Sequence, residues 1–114
     1  MARTKLTAIK ADFNKITNFD TETATTVEEG FEFIFPETDE LCFIVVTNNG
    51  GASGTIAVKA PEQGSYASTD EDLVETIEAG KSAIIRVETA RFANTDGSVV
   101  LVPSSADVEV AVIC

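Results

Sequence analysis

The most apolar run of the chain lies near its centre, from Leu41 to Val46, and contains no charged residue. A run of this length in which half the residues are β-branched favours a strand buried on both faces over a helix. The next residues, 48–51, read Asn-Asn-Gly-Gly, a combination that tolerates positive φ and typically reverses the chain. The stretch from Thr55 to Ala60 then alternates like a half-buried strand. The pattern therefore predicts a β-hairpin over residues 41–60.

Alternation of polar and apolar residues predicts several further short strands. Phe31, Phe33 and Phe35 share one face of a strand that Pro36 closes, so we expect the core to bury all three rings. Residues 73–77 and 82–88 alternate on either side of a short turn and predict a second hairpin. Other strands are predicted over residues 4–10, over 98–102 and from 108 to the C-terminus.

The number and spacing of these strands predict the fold class. Seven or eight short strands, turns every ~8–12 residues and no long helical period are typical of an all-β protein. Alternating faces argue against a parallel sheet, which would need crossover helices. We therefore expect an antiparallel β-sandwich or jelly roll of seven to eight short strands. Within the 114 residues, 1–20 are predicted to form a partly extended N-terminal arm and 21–114 a single β-sandwich domain.

The charge of the chain is strongly acidic but unevenly spread. Nineteen acidic residues against eight basic ones give a net charge of −11. Residues 1–15 carry four basic residues against one acidic, a net +3, and the remainder carries four against eighteen, a net −14. An acidic body is repelled by nucleic acid and by anionic membranes, so neither is an expected partner. The basic segment fits two interpretations equally, an arm that lies on an acidic neighbour or a first strand with solvated lysines.

Neither the hydropathy nor the cysteine content points to a membrane or a disulfide scaffold. No run approaches the ~20 apolar residues of a membrane-spanning helix, and the N-terminus lacks a signal peptide's apolar region, so we expect release into the cytoplasm where the chain is made. The two cysteines are Cys42 and Cys114. A buried thiol and a terminal thiol are the favoured interpretation, because a chain with an adequate core does not need a bridge, and a disulfide stays open as the alternative.

The residue types of the chain give little support to catalysis. There is no histidine, which removes Ser-His-Asp and Cys-His nucleophiles and the commonest metal ligand. Neither cysteine lies in a C-x-x-C pair, and no glycine-rich phosphate-binding motif occurs. The sequence therefore predicts a protein that is not an enzyme, without catalytic residues or cofactors.

One acidic cluster is a weak candidate for calcium binding. Asp70, Asp72 and Glu75 lie next to a loop and offer the hard oxygen ligands that calcium prefers. Their spacing does not match an EF-hand loop, so a solvated acidic turn is the favoured interpretation. The corresponding function would be a ligand-binding module, for carbohydrate or calcium, in a surface or tail protein.

The order of short motifs from Val45 onward resembles a family of small virion proteins of tailed bacteriophages that infect Gram-positive hosts. The resemblance covers roughly residues 38–114. Each motif taken alone consists only of common turn residues or of alternating polar and apolar residues. The motifs are V-T-N-x-G at 46–50, T-I-A-V-K-A at 55–60, D-L-V-x-x-I-x-A-G-K at 72–81, A-R-F at 90–92, D-G-x-V at 96–99 and a valine-rich end at 108–113.

This resemblance implies a structural, non-enzymatic role as a head decoration or cement protein on the outside of a capsid. The same structural role in the tail or in another part of the virion is the alternative that the resemblance also allows. The implied partners are the major capsid protein or sister subunits, with a homotrimer as the implied assembly, and the implied location is the virion, after synthesis in the bacterial cytoplasm. No catalytic residues carry over.

The basic segment is our candidate for attachment in that role. We expect residues 1–15, with Phe13, Ile16 and Phe19 behind them, to dock on the capsid or a sister subunit while the acidic body faces outward. The predicted partner-binding residues are Arg3, Lys5, Lys10, Phe13, Lys15 and Ile16.

Overall fold

Eight strands and one four-residue helix make up the secondary structure of the computed structural model, which describes residues 3–12, 14–36, 41–62, 64 and 68–114. No helix in these ranges is long and apolar enough to cross a bilayer. The elements are β1 (Thr4–Lys5), β2 (Phe31–Phe33), β3 (Phe43–Asn48), β4 (Gly54–Val58), β5 (Leu73–Ile77), β6 (Ser82–Ile85), α1 (Thr89–Phe92), β7 (Val99–Pro103) and β8 (Val108–Ile113).

The strands form two sheets packed face to face. One sheet has five strands in the order β1-β2-β7-β4-β5, and the other has three in the order β6-β3-β8. Among these eight strands of the described residues, every pairing is antiparallel except that of β1 with β2. The alternating positions meet in a shared core, where Phe31, Ile56 and Leu101 of one sheet and Ile44 and Val110 of the other are fully buried. The predicted all-β sandwich is confirmed.

Both predicted hairpins are wrong, because each pair of strands divides between the two sheets. β3 pairs with β6 and β8, whereas β4 pairs with β5 and β7. β5 and β6 separate in the same way. The turns at 49–53 and 78–81 are therefore arches that cross the ~10 Å between packed sheets. The apolar faces of successive strands therefore face each other across the core.

Asn48 ends β3 and organises the first arch from a buried position. Its side-chain Nδ2 donates to the carbonyl oxygens of Ala52 at 2.8 Å and Ile77 at 3.0 Å, and its Oδ1 accepts from the Gly50 amide at 2.9 Å. The residue is 1% exposed. Its amide therefore ties the arch after β3 to the end of β5 in the opposite sheet.

Replacing Asn48 with alanine is expected to lower the free energy of unfolding by about 2–3 kcal/mol, because buried backbone groups lose their partners. Asn49→Ala is the matched control: Asn49 is exposed and donates to the Glu109 carboxylate at the surface, so its loss should cost below ~1 kcal/mol. Urea unfolding of the two variants measures the difference. Equal losses would show that burial of the Asn48 amide does not matter.

The N-terminal segment contributes to both sheets. Thr4 and Leu6 donate their amides to the carbonyls of Gly30 and Glu32, each at 2.9 Å, along the edge of the five-stranded sheet. The chain then crosses over, and the Ile9 amide donates to Val112 of β8 at 2.8 Å. Glu22 rejoins β8 through two hydrogen bonds with Val110, at 2.8 and 3.0 Å. Residues 14–20, between these attachments, form what we call the arm loop.

The two cysteines are joined as a disulfide, so the favoured interpretation of two separate thiols is wrong. β3 and β8 pair with Phe43 opposite Ile113, and the next pair in the same register is Cys42 and Cys114. Their Cα atoms are 4.1 Å apart. Although 72 residues separate them along the chain, pairing of the two strands brings them together.

Candidate functional site

The arm loop lies over the outer face of the three-stranded sheet, beside an apolar groove. Alternation directs Ile44 and Val46 into the core and leaves Phe43 and Val45 half-buried on the outer face. The groove has a volume of about 220 Å³. Its apolar lining comes from Ile9, Phe19, Phe43, Val45 and Ile113.

The arm loop itself presents large apolar side chains to solvent. Ile16 is 92% exposed and Phe19 is 46% exposed. Lys15, also exposed, lines the groove next to them. At the far end of the loop, Thr21 Oγ1 donates to a carboxylate oxygen of Glu109 at 2.8 Å, which adds to the backbone pairing of Glu22. The loop thus holds exposed apolar groups and a cation between two fixed points, an arrangement typical of an interaction surface.

The structure divides the predicted partner-binding residues between two regions. Lys15 and Ile16 lie together on the arm loop, and Lys10 follows Ile9 with its Nζ 3.9 Å from Asp12 Oδ1, in an exposed ion pair of little energetic weight. Arg3 and Lys5 belong to the edge of the five-stranded sheet. Phe13 lies outside the described residues.

The sequence did not predict that Phe43 and Val45 line the groove. The central run 41–46 indicated a strand buried on both faces, whereas Phe43 and Val45 are only half-buried and line the groove. Because every residue of this run is apolar, the sequence has no alternation of polar and apolar positions to show which side chains face outward. The exposure of alternate positions depends on what covers the outer face.

A second concavity, of about 510 Å³, lies on the outer face of the five-stranded sheet. Val100 and Val102 of β7 contribute apolar surface, and Arg3 and Lys59 contribute positive charge. The lining is nevertheless mainly acidic. Its carboxylates are Glu28, Glu29, Glu32, Glu62, Asp72 and Asp96.

Two of these carboxylates are engaged in local hydrogen bonds. Asp72 accepts from Lys59 Nζ and from the Ala60 amide, each at 2.7 Å, and first the Lys59 bond and then the amide hold the pKa of Asp72 below its usual value. Asp96 accepts from Ser98 Oγ at 2.6 Å and from the Ser98 amide at 2.9 Å, which likewise lowers the pKa of Asp96. Both groups therefore stay ionised with neighbours of their own chain.

The three calcium candidates do not converge. Asp72 lies beside Lys59 on the outer face, whereas Glu75 pairs with the buried Ile56 on the core-facing side of β5. Asp70 is exposed before the strand. Across the part of the chain that the structure describes, no group of three or more acidic or cysteine side chains is arranged to hold a metal ion.

Comparisons with protein-family models, with curated proteins and with solved structures find no match for this chain. The resemblance to virion proteins therefore depends on the order of the motifs in the sequence.

Proposed function

We propose that this protein is a non-enzymatic structural virion protein, a capsid decoration protein that binds the outer surface of a phage head and stabilises it. The observation that carries the proposal is the arm loop, which exposes Ile16 and Phe19 together with Lys15. In a chain with net charge −11, the arm loop (residues 14–20) carries one lysine and one aspartate, so this apolar surface has no net charge and contrasts with its acidic surroundings. Exposed apolar groups of this kind mark sites of contact with another protein.

The anchoring of the arm loop suits attachment to a rigid lattice. Hydrogen bonds to β8 fix both ends, so the loop loses less conformational entropy on docking than a free tail of the same length would. Ile16 and Phe19 would enter an apolar depression on the capsid, and Lys15 would meet an acidic rim. The acidic body would face outward and keep the subunit soluble before assembly.

The disulfide supports the same role. Disulfides persist in oxidising environments, which include virion surfaces, and are rare in proteins that work in a reducing cytosol. A bridge between β3 and β8 would suit a protein that must last on a released particle.

The proposal predicts that Ile16→Asp weakens binding to undecorated heads of the encoding phage by about 10- to 100-fold, the equivalent of one lost aliphatic contact. Ile34→Asp is the matched control, because Ile34 is 57% exposed but lies outside the arm loop and should leave binding unchanged. Co-sedimentation with purified heads measures both. If the wild-type chain did not bind heads, the proposed function would be wrong. If the wild-type chain bound heads and Ile16→Asp bound them equally tightly, the assignment of the arm loop would be wrong.

A ligand-binding module of a surface or tail protein is the second candidate function. The observation that favours it is the acidic cleft beside β7, which is large enough to hold a small ligand. Binding to the native state would raise the melting temperature. A rise with calcium or with a carbohydrate, combined with no binding to heads, would decide for this function.

A further inference from the structure

The strands β5 and β6 form two open sheet edges on the same side of the sandwich. Within the described ranges, β5 pairs only with β4 and β6 only with β3, and each ends its own sheet. The short turn at residues 78–81 joins them, so the two edges lie close together across the sandwich. We call this surface the β5–β6 side. An open edge presents unpaired backbone donors and acceptors that can accept another strand.

Each of these edges also exposes one large apolar side chain. Val74 of β5 is 57% exposed and Ile84 of β6 is 66% exposed. The other exposed large apolar residues of the described chain, Ile16, Phe19, Ile34 and Leu41, all lie outside strands. The partner of Val74 in β4 is Ala57, and that of Ile84 in β3 is Val45, so both side chains point away from the core. The β5–β6 side therefore combines open backbone with apolar surface.

The two edges carry opposite charge. β5 and its flanks contain Asp72, Glu75 and Glu78, whereas Lys81 and Arg86 flank β6. Pairing β5 with β5 of a second copy would bring acids together, and pairing β6 with β6 would bring cations together. Pairing β5 with β6 brings unlike charges together. We propose that the β5–β6 side is a homodimer interface, in which β5 of each copy pairs antiparallel with β6 of the other.

A two-fold axis parallel to the strands satisfies this arrangement. Such an axis places the five-stranded sheet of one copy beside the three-stranded sheet of the other, and does so twice. Because the turn at 78–81 reverses the chain between β5 and β6, the new strand pairs are antiparallel. The dimer then consists of two continuous sheets, each built from five strands of one copy and three of the other.

One register matches the side chains on both faces. Placing Val74 opposite Ile84 of the second copy joins the two exposed apolar groups. The same register places Glu75 diagonally opposite Lys81, which gives the inward-pointing carboxylate a cation. The same register places Thr76 opposite Ser82 on the outer face and Leu73 opposite Ile85 on the core face.

The test of this dimer combines mass with cross-linking. Sedimentation equilibrium should give twice the chain mass at micromolar concentration. Val74→Cys and Ile84→Cys variants, oxidised as a mixture, should form an intermolecular disulfide, whereas neither variant alone should. Cross-linking of each variant with itself, but not of the mixture, would overturn the proposed pairing of β5 with β6. A monomer at every concentration would overturn the interface.

Point variants separate this interface from the arm loop. Ile84→Asp should weaken dimerisation by about 10- to 100-fold, since it replaces a buried aliphatic contact with a charge. Ile34→Asp should leave the dimer intact, and so should Ile16→Asp, because neither lies on the β5–β6 side. Circular dichroism checks that each variant is folded. A folded Ile84→Asp variant that dimerises like the wild type would contradict the inference, whatever the result of head binding.

Discussion

Replacement of Gly30 with alanine is expected to lower the free energy of unfolding by about 3–5 kcal/mol, through a strained backbone and a steric overlap. Gly30 has φ of +72° at the entry to β2. A Cβ added there would overlap the carbonyl oxygen of Leu101. Leu101 is fully buried in β7 between β2 and β4, so its carbonyl has no room to move. For a domain of this size, the loss is a large fraction of the total stability.

Gly80→Ala is the matched control for this prediction. Gly80 has nearly the same backbone conformation, with φ of +73°, but an added Cβ would meet no atom within 4 Å. It should therefore cost only the ~1–2 kcal/mol of a left-handed alanine. Urea unfolding midpoints of the two variants isolate the overlap at Leu101. Equal losses would show that the five-stranded sheet adjusts at this point and that the close approach is not needed.

The fold class was predictable because it depends on local alternation. Phe31 and Phe33, or Val108 and Val110, show in their immediate neighbours that one face of each strand is buried. How successive strands pair was not predictable in this way. The turn residues after Asn48 show that the chain reverses, but the same chemistry serves a hairpin within one sheet and an arch between two. The choice depends on which partners lie elsewhere in the sequence.

The candidate site was only partly predictable for the same reason. The basic charge of residues 1–15 and the apolar residues behind them directed attention to Lys15 and Ile16. The groove needs Phe43, Val45 and Ile113 as well, and these three residues lie side by side on one face of the sheet because β3 pairs with β8 over a long sequence separation. That pairing also decides the state of the cysteines. No local signal places the residue before β3 opposite the last residue of the chain.

Removal of the disulfide is expected to lower the free energy of unfolding by about 4 kcal/mol, because the bridge closes a long loop and restricts the unfolded chain. Cys42 and Cys114 are 72 residues apart, which places their loop near the upper end of this effect. The double variant Cys42→Ala/Cys114→Ala tests it by urea unfolding. Reduced wild-type protein should lose a similar amount, and a reductant should not change the unfolding of the double variant.

The same bridge should also support the arm loop. The Cys114 amide donates to the Ile9 carbonyl and its carbonyl accepts from Ala11, each at 2.9 Å, so the bridged end of β8 holds the first attachment of the loop. We expect hydrogen exchange at Ala11 to accelerate in the double variant more than at Leu6, whose amide bonds to the other sheet at Glu32. Uniform acceleration at both positions would mean that the disulfide stabilises the sandwich as a whole, without a local effect on the loop. Preferential loosening at Ala11 would connect the bridge directly to the surface proposed to bind the capsid.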